Sequence, residues 1–169
     1  MIRLIALIAK AKSSKFYLWL LNRVLSRSVP FNKTHGLQIV EIYDDGFKIF
    51  LPFKKNNLNH INGIHACALA TLAEYISGLT LMMNLASDDF RLVMKSMTMT
   101  YHYQAKSDVF VSLRLNKEWM SANIFNSIEK EVSVFVDVIS EVFDVQQNHI
   151  CTGTTNWQIK KWEAVRTKK

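Results

Sequence analysis

From Asn56 to Ser87 the sequence carries a single formally charged side chain, Glu74, between Ala73 and Tyr75. A carboxylate among apolar neighbours is costly to bury unpaired. Desolvation raises its pKa, which is the condition under which a glutamate can serve as general base or acid near neutral pH. A plainer reading stands beside this one: Glu74 lies on a narrow exposed stripe, or pairs with a basic residue at a subunit contact. His65 precedes Glu74 by nine residues. On one helix that spacing is about 13.5 Å along the axis and about half a turn around it. The two side chains therefore cannot converge within one chain. They can meet if a second copy packs its helix antiparallel across a two-fold axis. The plainer reading of His65 is a helix-start residue bonded to its own loop. Backbone N–H groups near Gly63, Ile64 and Ala66 would lie at the start of the same helix, where unpaired donors carry partial positive charge and can hold an oxyanion.

Other reactive side chains give weaker patterns. Cys67 lies two residues after His65, an arrangement open to a Cys–His nucleophile or to a small buried cysteine on a helix. His60, His65, Cys67 and His149 lack the spacing of a zinc site, and the five glycines form no phosphate loop, so no metal or cofactor is implied. Lys95, Lys106, Arg114 and Lys117 are either phosphate-binding groups or ordinary outward residues. Tyr101, His102 and Tyr103 read as packing residues rather than a base-stacking platform, and no nucleic-acid partner is expected.

The elements that must position these residues follow from periodicity. Residues 64–84 are rich in Ala, Leu and Met and apolar nearly all round, which predicts a helix buried on most faces. Period-two alternation predicts strands at 92–103, 109–116, 132–145 and 150–162, with two shorter ones at 37–42 and 47–51 joined through Asp44-Asp45-Gly46. In the strand at 132–145, Val132, Val134, Val136 and Val138 fall on one face. Residues 117–131 read as a connection holding a helical turn. A long apolar helix must bury its surface, and one curved antiparallel sheet wrapped around it is the economical solution, an α+β fold.

Residues 2–27 read as one or two basic amphipathic helices, with Ser14 capping the second and Pro30 stopping it. Residues 1–40 contain seven basic side chains and no acid, and from Glu41 onward acids and bases cancel, so the net charge of +7 belongs to this arm. The expected division is an arm at 1–30 and a single domain at 31–169. The arm either packs on the protein, burying Trp19 and Leu21, or lies on an anionic membrane surface. Residues 2–9 are too short an apolar run for a secretory signal and end at Lys10. Residues 66–83 are the best candidate span, but Glu74 near the middle would cost about 2.5–3.5 kcal/mol in lipid. With 49% hydrophobic residues and mean hydropathy of +0.04, the chain is excluded from the disordered class. Two cysteines make no disulfide framework, so a reduced, cytoplasmic setting is expected.

Residues 59–65, NHINGIH, followed by ACALATLAE to Glu74, resemble the signature of hotdog-fold acyl-CoA thioesterases. The similarity is to the phenylacetate-type branch: Asn, a Gly turn, His, two small residues, then an acid nine residues after the His. The run to Gly78 most resembles an uncharacterised, bacterial-type branch of that superfamily. The resemblance extends over about residues 35–162 and implies a hotdog fold with an N-terminal helical extension, working as a homodimer or a dimer of dimers. It implies an acyl-CoA or related acyl thioester as substrate. Glu74 would activate water or attack the thioester carbonyl, Asn59 and His65 would act from the other subunit, and the amide of Ala66 would bind the carbonyl oxygen. Ser96 stands for the hydroxyl some members carry on the next strand. The sequence departs from the pattern at Asn62, where a Gly is usual and Gly63 is displaced by one, and at Ala66-Cys67, where Gly-Gly is usual. A non-catalytic acyl-binding relative is the alternative.

Overall fold

The computed structural model describes residues 2–86 and 88–165. It opens with α1 (Ile2–Ala11), α2 (Lys15–Ser28) and α3 (Pro30–His35). Ser14 caps α2 by accepting a bond from the Tyr17 amide at 3.5 Å. Pro30 does end α2, but it also opens α3, because a helix's first turn tolerates a residue without an N–H. Ile8, Ala11, Leu21 and Leu25 are buried in the main core, whereas Trp19, expected to be buried with Leu21, is 56% exposed.

Two short strands follow, β1 (Gln38–Ile42) and β2 (Gly46–Leu51), then α4 (Ala66–Leu85) and the long strand β3 (Phe90–Tyr101). After β4 (Val109–Arg114) the chain turns through α5 (Lys117–Met120), a π-type turn (Ser121–Phe125) and α6 (Asn126–Ile128). Sequence reading places one helical turn in this stretch. The structure makes it nearly continuous, because Met120, Ile124 and Ile128 recur every four residues and are all buried. Two long strands, β5 (Ser133–Asp144) and β6 (His149–Lys161), complete the chain.

The six strands form one antiparallel sheet in the order β1-β2-β4-β5-β6-β3, and α4 packs across it. This is the α+β architecture expected, a long central helix against an antiparallel sheet. On length and apolarity α4 could pass for a membrane span, yet 56% of that window is buried within the domain. Two glycines let it approach closely. A Cβ on Gly153 of β6 would lie 2.7 Å from that of Ala73, and one on Gly78 would lie 2.9 Å from the Trp157 ring. The Trp157 indole donates to Ser77 Oγ at 3.2 Å and Thr155 Oγ1 at 3.0 Å, fixing the helix over β6.

The two sheet edges are treated differently. At β1, Asn22 of α2 donates to the Ile39 carbonyl at 2.9 Å and accepts from the Ile39 amide at 2.8 Å, imitating a further strand. At β3, no described residue pairs with the outer edge, and residues 93–96 are exposed.

Candidate functional site

The loop leading into α4 is built by Asn59. Its Oδ1 accepts from the amides of Ile61 at 3.1 Å and Gly63 at 3.0 Å, and its own amide donates to the Gly63 carbonyl at 2.8 Å. The tightness of this loop forces Asn62 into the left-handed region at φ 56°, a conformation asparagine tolerates better than most residues. An Asn therefore holds the turn where the resembling family has Gly, and the Asn59 carboxamide oxygen is committed to backbone amides.

His65 is the N-cap of α4. Its Nδ1 accepts from the Cys67 amide at 3.0 Å, and its backbone amide donates to the Asn57 carbonyl at 2.7 Å. With Nδ1 accepting, the neutral ring carries its proton on Nε2, leaving an outward donor on an exposed side chain.

Most of the amides at this corner are taken. Gly63 donates to Asn59, Ile64 to the Ala105 carbonyl at 2.9 Å, Cys67 to His65, and Ala68 to the His65 carbonyl at 2.9 Å. The expectation of several free donors is corrected to one. Among the described residues, the Ala66 N–H alone in this group has no acceptor. Tyr101, at the end of β3, closes over the spot by donating its hydroxyl to the Ala66 carbonyl at 3.1 Å. Desolvation pushes the Tyr101 phenol up, with smaller contributions from Cys151 and Cys67. Around Ala66 lies an open depression of about 330 Å³, lined by Asn59, Ile64, Leu69, Tyr101, Tyr103 and Gln104 among others. Its lining mixes polar and apolar side chains, and the unpaired Ala66 N–H sits at the positive end of a long helix.

Glu74 lies two turns and more along the same helix. Cys67, Thr71 and Glu74 recur at i, i+4, i+7 and form the least buried stripe of α4's first half. Burial raises the Glu74 carboxyl above its ordinary value. No hydrogen bond or ion pair to its carboxylate exists among the described residues, and only its backbone carbonyl is used, by Ser77 Oγ at 2.9 Å. Beside it, the Tyr75 phenol is pushed up by burial and, secondarily, by the Glu74 charge.

The remaining candidates separate. Lys106 is exposed just past Gln104, at the rim where the depression meets a second hollow lined by Tyr103, Gln104, Lys106 and Ser107. Ser96 is on the other face of the sheet from α4. It stands opposite Asn156, whose amide donates to Asp137 at 2.6 Å, while the helix-facing positions are Thr155 and Trp157. A bulge at Lys95 between Met94 and Ser96 causes this, because one extra residue flips every side chain after it. Cys67 is exposed and Cys151 buried, its thiol pushed up to about 12 by desolvation, and no group of three or more metal-ligating side chains occurs among the described residues. Tyr101 is the residue that sequence reading assigned to packing. Its role depends on where β3 ends relative to the start of α4, which strand periodicity does not report.

With this geometry in view, the chain can be set beside known structures. It matches a protein of unknown function from Pseudomonas aeruginosa described as a probable thioesterase, at 22% identity and a TM-score of 0.72, covering 83% of this chain and 93% of the other. A thioesterase from Haemophilus influenzae matches at 14% identity and a TM-score of 0.64, covering 85% and 90%. A thioesterase from Staphylococcus aureus matches at 16% and 0.61, covering 78% and 99%. Identities this low carry the fold alone, and that fold is the hotdog fold. No curated protein matches the sequence. The model of one family, described as a domain of unknown function (DUF4442), matches residues 18–159, and the chain belongs to that family.

Proposed function

We propose that the protein hydrolyses an acyl thioester, with acyl-CoA as the substrate class, at a site shared by two copies of the chain. The observation that carries this reading is the pairing of two unsatisfied groups on one helix: the half-buried Glu74 carboxylate without a partner, and the free Ala66 N–H at the helix start. In one protomer helix geometry keeps them about 12 Å apart along the axis. The exposed edge of β3 supports a two-fold pairing, since an uncovered strand edge is a template for another strand. Antiparallel β3–β3 pairing would run the two α4 helices in opposite directions. Glu74 of one copy would then approach the Ala66 amide and the outward His65 Nε2 of the other.

In such a site the Ala66 N–H receives the thioester carbonyl oxygen, and Tyr101 shapes the wall. Glu74 takes a proton from water as the water oxygen attacks the carbonyl carbon. The oxyanion is held by the Ala66 amide and the helix dipole. The carbon–sulfur bond then breaks, and the thiolate leaves with the proton returned from Glu74. A raised carboxyl pKa suits both halves of this exchange. Lys106 at the rim is positioned for a phosphate of the carrier. Both cysteines are free, which suits a reducing, cytoplasmic setting.

A panel of acyl-CoA thioesters assayed with wild type and Glu74→Gln tests the reading. The expected outcome is turnover of at least one member by wild type and a loss of about 10²–10⁴-fold in kcat for the variant. Equal rates in both, or no turnover of any thioester, would sink it. Saturable acyl-CoA binding without turnover would favour the non-catalytic alternative, for which the departure at Ala66-Cys67 is the specific support.

A further inference from the structure

The face of α2 turned away from the core has an unusual composition for a soluble protein. Phe16, Trp19, Arg23 and Arg27 recur at i, i+3, i+7 and i+11, which places them within an arc of about 80°. All four are exposed, Phe16 by 63% and Trp19 by 56%, and the two rings lie 6.0 Å apart. The Arg23 guanidinium stacks 5.9 Å from the Trp19 ring. Large aromatics are normally the residues a helix buries, and here Leu21 and Leu25 already fill that role on the opposite side. An open groove of about 550 Å³ runs beside the stripe towards β1, with Lys15, Trp19 and Arg23 on its helix side and Leu37 and Val40 on the other.

The charge around this stripe is of one sign. No acid occurs before Glu41. Lys12 is tied to Asp44 at 2.9 Å, whereas Lys15, Arg23, Arg27 and Lys33 have no ion-pair partner among the described residues. Exposed Trp and Phe interleaved with unpaired Arg and Lys match the chemistry of a bilayer interface. The rings enter the headgroup level and the cations meet lipid phosphates.

We infer that the outer stripe of α2 docks the protein onto an anionic lipid surface. The stripe lies at the β1 end of the sheet, and the Ala66 depression lies beside β3 at the other end. Docking therefore leaves the proposed hydrolytic site open, and the two ideas stand or fall separately.

The test is co-sedimentation of the full chain with vesicles of phosphatidylcholine alone and of phosphatidylcholine mixed with phosphatidylglycerol. Wild type should bind the mixed vesicles and not the neutral ones, with binding weakened by salt. Arg23→Gln combined with Arg27→Gln should weaken it roughly thirty-fold, and Arg23→Lys with Arg27→Lys should restore most of it. Phe16→Ser with Trp19→Ser should also release the protein. Because these side chains are exposed, circular dichroism should stay as in wild type. Hydrolysis of a soluble acyl-CoA should be unchanged in all of them. The inference is overturned if wild type ignores anionic vesicles or if the variants bind as well as wild type. It is equally overturned if the aromatic pair changes the molar mass of the protein without changing vesicle binding, which would make the stripe a contact between copies.

Discussion

Burial makes the Glu74 carboxyl hold its proton more tightly than a solvated one, and that has a consequence for stability that catalysis does not enter. A carboxyl whose folded-state pKa is raised binds its proton more tightly folded than unfolded. Its contribution is fully present below the ordinary value of 4.5 and is lost as pH rises through the raised folded value. At pH 7 Glu74 is therefore a destabilising residue. Glu74→Gln should melt at a higher temperature than wild type at pH 7, and the gap should close as the pH is brought down to about 4. A wild type that is the more stable at pH 7 would mean that the carboxylate has found a cation, contrary to its unpartnered state here. Such an exchange of stability is what the proposed catalytic role of Glu74 would require. The lone acid was legible in the sequence, because a single charge in an apolar stretch stands out without any coordinates. The free amide was not. Which of Gly63, Ile64 and Ala66 keeps its N–H unpaired depends on Asn59 and Ala105, the latter contributed by the β3–β4 loop.

The elements show why some positions could be read and others could not. Four of the strands and the central helix follow from periodicity, since burial of one face is what periodicity records. A bulge leaves no such mark. Counting alternation from Leu92 and Met94 puts Ser96 on the helix side, and the extra residue at Lys95 turns it outward beside Asn156. Ser96→Ala should accordingly change kcat/KM by no more than about two-fold, within the ±0.5 kcal/mol of an ordinary surface change. A loss of tenfold or more would show that the strand register differs from this one. The arm is also an element whose role the sequence left open between packing and docking. Its inner face is tied to the domain by Leu21, Leu25 and the paired bonds of Asn22 to Ile39. Replacing Asn22 with Ala removes both bonds and leaves the Ile39 amide and carbonyl without partners. It should cost about 1–3 kcal/mol, read as a lower urea midpoint with an unchanged slope.

At the scale of the whole molecule, the unpaired β3 edge and the separation of Glu74 from His65 and Ala66 lead to one test of shared sites. If each site takes Glu74 from one copy and His65 from the other, then Glu74→Gln and His65→Ala homodimers each have two damaged sites. A dimer with one chain of each kind has one site carrying both changes and one carrying neither. Unfolding and refolding an equal mixture should give about half mixed dimers, each with one intact site of two, so about one quarter of wild-type activity should return. Sites built within a single chain would give no recovery at any mixing ratio, because each would keep its own lesion. Tagging the two variants differently and isolating the mixed dimer should raise the recovered activity to about one half per dimer, which ties the recovery to the mixed species. The helix fixes the logic of this experiment: His65 caps the start of α4 and Glu74 lies nine residues on, about 13.5 Å along the axis, so no local adjustment inside one chain can substitute for the second copy.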